Sequence, residues 1–206
     1  EKSYPSWFED YQAPVMSHTL FKEKIAETLN SKQPTLLVVI DNLRYDQWKA
    51  LEPSINTYYK VQEDSLYFSI LPTATQYARN AIFSGLMPSE MEKLFPQYWK
   101  NDNDEGGKNL YEAQFLEAQM KRLGLSELKH EYIKITNLKA GQKLAESFKS
   151  KVSNDLTVVV YNFVDMLSHA KTEMEVLKEL ASNDKGYRSL TKLSLIHISE
   201  PTRRIT

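Results

Sequence analysis

Cysteine is absent from the 206 residues, which excludes disulfides, thiolate metal sites and thiol nucleophiles. Any metal must be held by carboxylates, hydroxyls and imidazoles. An excess of either charge is absent as well: Lys and Arg number 26 against 27 Asp and Glu, a formal charge of -1. No broad basic field exists to hold a nucleic-acid duplex non-specifically. No apolar run approaches the roughly 18 residues a membrane helix needs, and no charged segment followed by an apolar one opens the chain. A cytoplasmic protein is the expectation. The six glycines form neither G-x-x-x-x-G-K-[ST] nor G-x-G-x-x-G, which argues against P-loop and dinucleotide-binding folds. Repeats and low-complexity stretches are missing too.

What is present suffices for a packed interior. Hydrophobic residues make up 41% of the chain and aromatics 11%, and the length suits one main domain. Phe21, Ile25 and Leu29 recur at i+4 steps, which predicts a lead-in helix over 17–30 with Ser17 as its cap and Pro34 beyond its end. Thr35 to Ile40, TLLVVI, is a continuous β-branched and aliphatic run, the pattern of a strand buried on both faces of a parallel sheet. A short helical segment follows around Tyr45 to Leu51. Leu66 to Leu71 reads as a second strand, which Pro72 stops before a helix through Arg79 and Phe83 that Gly85 can cap.

Asn101 to Lys108 is a polar loop, and beyond it Leu116, Met120 and Leu123 share a helical face ended by Gly124. Tyr132 to Ile135 reads as a short strand, 140–149 as a helix, and Leu156 to Val164, LTVVVYNFV, as another buried strand. This alternation predicts an α/β fold: a three-layer, mainly parallel sheet with helices on both faces. Sites in that architecture form at the carboxyl ends of strands.

Three candidates fall at such ends. Asp41 follows six apolar residues, and an ionised carboxylate there needs a cation or several donors to compensate it. It is either a metal ligand or a cap of the next helix. Asp165 and His169 lie four residues apart just past the last strand, so both can turn toward one ion; a capping Asp with a surface His is the alternative. Pro72 to Pro88, PTATQYARNAIFSGLMP, sets threonines at the start of a helix, where a hydroxyl would lie beside the helix's first N–H groups and an attacked phosphate could be held. Such a hydroxyl becomes a nucleophile at neutral pH by coordination to a divalent metal. Ordinary N-capping by Thr73 or Thr75 is the other reading.

The order strand-Asp, then P-T-x-T with a downstream S-G-L-x-P, then strand-Asp-x-x-x-His is similar to the alkaline phosphatase superfamily. The wording VVIDNLRYDQW and LPTATQYARNAIFSGLMP resembles the PglZ domain within it, most closely that of the PorX-type response regulators of Bacteroidetes linked to type IX secretion. The resemblance covers roughly residues 1–192. It implies a two-zinc phosphodiesterase or phosphatase, with manganese an alternative metal. Thr75 would be both nucleophile and ligand, Asp41 would ligate the second zinc, and Asp165 with His169 would hold the first. A phosphothreonine would form and then be hydrolysed. The substrate class implied is a phosphoester, such as a nucleotide or oligonucleotide diester. An upstream receiver domain and a sensor kinase are implied partners, and a homodimer is compatible. Where the phosphodiesterase branch has an Asn three residues after its nucleophile, this chain has Ala78, leaving Arg79 or Asn80 as substitutes. The competing reading is a phosphatase-like fold kept as a non-catalytic regulatory or interaction module.

The resemblance divides the chain into the end of an upstream helical linker (1–30), the N-terminal part of the phosphatase-like domain (31–192) and a tail (193–206). Leu193 to Arg203, LSLIHISEPTR, looks like translated sequencing-adapter sequence. The expectation is a domain truncated at its C-terminus, lacking the family's later Asp-His pair and last His, and prone to aggregation through an open sheet edge.

Overall fold

The computed structural model describes residues 4–8, 13–30, 33–101 and 104–162. Among them the chain divides into two compact units, drawn from Glu1–Ser31 with Ser65–Glu127 and from Lys32–Asp64 with Leu128–Thr206.

The second unit is built on a parallel sheet of three strands in the order β1-β3-β2. These are β1 (Thr35–Ile40), β2 (His130–Ile135) and β3 (Leu156–Tyr161). Thr35 and His130 both stand level with Leu156, and Ile40 and Ile135 with Tyr161, so the strands start and end together. β3 is buried at every position, as its unbroken apolar run predicts. β1, expected to be buried on both faces, is not: only its Leu37 is buried and Val38 is exposed, because among the described residues β1 has a strand neighbour on one side only. Helix α1 (Tyr45–Ile55) follows β1 and runs a turn longer than its sequence suggests. Helix α5 (Leu138–Ser147), capped by the Asn137 side chain on the Ala140 N–H, lays Leu144 and the following Phe148 against Ile135, Val159 and Tyr161. On the opposite face Leu37, Val158 and Val160 are buried, while the β2 residues there are half-buried. The expected α/β class with a parallel sheet is met.

The first unit is helical. Phe21, Ile25 and Leu29 are buried on one side as predicted, but the segment winds as a π-type turn over Phe21–Ile25 and 3-10 turns over Ala26–Asn30. Ser17 does not cap it; its hydroxyl accepts the Ile70 N–H at 3.2 Å. Helices α2 (Thr75–Ser84), α3 (Pro88–Leu94) and α4 (Glu112–Arg122) complete the unit. Gly85 ends α2 at φ 63, its N–H donating to the Ala81 carbonyl at 2.8 Å. A Cβ there would meet Gln119 Nε2 at 2.5 Å, so α4 approaches α2 over a bare α-carbon.

The strand expected over Leu66 to Leu71 does not form. One parallel bridge, Met16 to Phe68, replaces a ladder. The N–H groups of Ile70 and Leu71 go instead to hydroxyl oxygens, Ser17 Oγ and Tyr4 Oη. Ile70 alone of the run is fully buried, while Leu66 is 88% exposed. The run is thus held by a single backbone bridge, with Phe68 N–H on the Val15 carbonyl and Ser17 N–H on the Phe68 carbonyl, and by side-chain acceptors at Ile70 and Leu71, not by a strand ladder.

α2 and α4 are tied by a buried ion pair. The Arg79 guanidinium donates through Nε and Nη2 to both carboxylate oxygens of Glu112, with the side chains 5% and 1% exposed. Removing one partner strands a charge in the interior. We expect Glu112→Ala to lower stability by about 3–5 kcal/mol and the double change Arg79→Met with Glu112→Leu to restore most of it; urea denaturation of the three proteins checks both.

Candidate functional site

Thr75 is the first residue of α2 and half-buried. The N-cap is Ala74, with no side-chain cap, and its carbonyl accepts the N–H groups of Tyr77 and Ala78 at 2.9 and 3.0 Å. Neither Thr73 nor Thr75 is therefore spent on capping. A helix start concentrates N–H groups and partial positive charge, so the Thr75 hydroxyl sits where an anion is favoured. Arg79 and Asn80, the substitutes named for the missing Asn, are both buried and bonded within the protein. Arg79 is engaged by Glu112, and the Asn80 carboxamide donates to the Lys108 carbonyl at 3.2 Å and accepts from Asn109 Nδ2 at 3.1 Å. Asn109 also donates to the Thr75 carbonyl at 3.3 Å. Sequence reading missed Glu112 and Asn109: their partners lie 33 and 29–34 positions away, and no local pattern marks such pairs.

Asp41 belongs to the other unit. Its N–H donates to the Tyr161 carbonyl at 3.1 Å, carrying the β1–β3 pairing one residue past the strand. Asn42 then takes a left-handed φ of 61, which turns the chain away from the sheet. The N-cap of α1 is Arg44, whose N–H donates to Gln47 Oε1 at 2.9 Å. Capping α1 is thus not the task of Asp41. Its half-exposed carboxylate stands at the carboxyl end of the sheet, the edge at which Asn162 leaves β3. Asp165 and His169 lie outside the described residues.

Two other histidines are described. His130 opens β2, its Nδ1 3.2 Å from the Leu128 carbonyl. His18 stacks on Phe8, and burial holds its imidazole below the ordinary value against the opposing pull of Glu90 and Glu23. Among the described residues no three His, Asp or Glu gather to hold a metal. The oxygen donors Asp41 and Thr75 suit zinc or manganese by type, but they fall in separate units, and the described residues alone do not make up a donor set.

The second unit is a parallel α/β sheet with a carboxylate just beyond one strand, and the first is a helical unit with a threonine opening α2. A family profile described as BREX system PglZ alkaline phosphatase-like domain matches residues 20–202. The chain belongs to this PglZ family, and membership suggests hydrolysis of phosphoesters. The matched range spans residues of both units and runs into the stretch from Leu193 onward. Comparison with curated proteins finds no match. No described helix is long and apolar enough to cross a membrane.

Because no capping bond is lost, Thr75→Ala and Thr73→Ala should each change stability by less than about 0.5 kcal/mol, against about 1 kcal/mol for a lost N-cap. Urea midpoints of the two variants test this.

Proposed function

We propose that the chain is part of a metal-dependent phosphoesterase, acting on phosphomonoesters or diesters of the nucleotide or oligonucleotide class, and that it serves as the output domain of a two-component response regulator. The observation that carries the reading is Thr75: a hydroxyl at the start of α2, not used as a cap, in an alkaline phosphatase-like family. Its ligands for two zinc ions, or for manganese, would include Asp41, Thr75, Asp165 and His169. Bound metal would supply deprotonation of the threonine hydroxyl and neutralisation of phosphoryl charge. Thr75 Oγ1 attacks phosphorus, the bond to the leaving alkoxide breaks, and a phosphothreonine forms that water then cleaves to inorganic phosphate or a monoester. The start of α2 lends partial positive charge to the phosphoryl oxygens during transfer.

The cytoplasmic location, the receiver domain with its sensor kinase, and homodimer formation belong to the same proposal, resting on the resemblance of the 38–48 and 71–88 segments. So does the assignment of residues from Leu193 as a non-native tail.

The test is zinc content and hydrolysis of a chromogenic phosphodiester by the protein encoded by the complete gene. About two zinc ions per chain are expected, with turnover lowered on the order of a thousandfold in Thr75→Ala. Asp41→Asn should lose zinc while keeping the circular dichroism of the parent. Equal, negligible rates in parent and Thr75→Ala would make the domain a regulatory scaffold.

A further inference from the structure

The loop that leads into α4 reaches back to the start of α2 through two carboxamides. Asn109 Nδ2 uses its N–H donors on two points of the helix, the Thr75 carbonyl at 3.3 Å and Asn80 Oδ1 at 3.1 Å. Asn80, itself 3% exposed, returns a bond from its Nδ2 to the Lys108 carbonyl at 3.2 Å. The loop is tied down in turn. Lys108 Nζ donates to the carbonyls of Asn101, at 2.6 Å, and of Asp104. The Asn101 N–H donates to Asp104 Oδ2 at 2.6 Å, and Trp99 Nε1 donates to Asn101 Oδ1 at 2.9 Å.

This arrangement has a specific mechanical effect. A helix carbonyl bonded within its own helix keeps a second lone pair, and Asn109 uses the one on Thr75 itself. Its second bond, to Asn80, lies more than one turn farther along. Two attachment points on successive turns fix the rotation of the helix about its axis as well as its position. That rotation decides where the residue-75 side chain points, because each residue swings by about 100° around the axis.

We propose that Asn109, braced by Asn80, is a positioning residue that sets the direction of the Thr75 hydroxyl. The inference rests on Thr75 being the nucleophile. It assigns Asn80 a structural partner where the phosphodiesterase branch would suggest a phosphate contact nearby. Because Asn109 touches the backbone of the nucleophile and not the substrate, its loss acts on the chemical step and leaves substrate binding nearly intact.

The experiment compares kcat and KM for a chromogenic phosphodiester in the complete protein and in Asn109→Asp, Asn109→Ala, Asn109→Gln and Thr75→Ala, with urea midpoints for each. Asn109→Asp keeps the shape and loses both donors, so it decides the matter if the alanine variant does not fold. The expected result is a kcat lower by about 10- to 100-fold in the Asp and Ala variants with KM within about threefold of the parent, and partial recovery in Asn109→Gln, which keeps a carboxamide donor. Parent kcat in folded Asn109→Asp, or a loss matched by the unfolded fraction, overturns the positioning role while leaving Thr75 in place. A parent without turnover, or Thr75→Ala as active as the parent, overturns the nucleophile reading and this inference with it.

Discussion

A strand buried on both faces has no water to satisfy its backbone, so every N–H and C=O of β3 depends on neighbouring strands. That constraint organises the second unit. β1 and β2 flank β3 in matching register, and Asp155 sets that register from just before the strand. Its carbonyl accepts the Thr35 N–H at 2.8 Å, and its carboxylate accepts the Lys129 N–H at 2.7 Å. A slip of one residue would turn every inward side chain to the other face. Level starts produce level ends, and this is why Asp41 and Asn162 leave the sheet at one edge.

The first unit meets the same demand with side chains. Ser17 and Tyr4 accept the amides of Ile70 and Leu71, Asn80 and Asn109 join α2 to the loop before α4, and Arg79 with Glu112 puts a satisfied charge pair where apolar packing would otherwise stand. Buried polar groups of this kind hold geometry more than they add net stability, because desolvation offsets much of the attraction. For Asn80 and Asn109, position beside Thr75 matters more than energy. They fix one end of the helix that carries the proposed nucleophile.

Periodicity made the sheet and several helices legible. β1 and β3 are runs of branched residues, Gly85 sits where a left-handed turn is required, and the spacing of Phe21, Ile25 and Leu29 marked a buried side, although π-type and 3-10 turns carry it in place of the expected helix. The positions of Asp41 and Thr75 at a strand end and a helix start followed from those elements. The 66–71 run misled because composition measures apolarity but not whether a neighbour exists, and here one bridge to Met16 and two hydroxyls took the amides instead of a strand ladder. Arg79 carries no local sign of its buried partner: it shares a helical face with Phe83, and only the fold brings Glu112 to it. The part of the proposed site beyond Asn162, with Asp165 and His169, lies outside the described residues.

The sheet's strand order also sets a timetable for synthesis. β1 pairs with β3 across a register separation of 121 residues (156 less 35), and at about 5–20 residues per second a ribosome needs roughly 6–24 s to cover it. Throughout that interval the TLLVVI segment has no β3 to pair with. The nascent chain therefore carries an apolar strand without its sheet neighbour over that interval, a target for chaperones that bind extended hydrophobic segments.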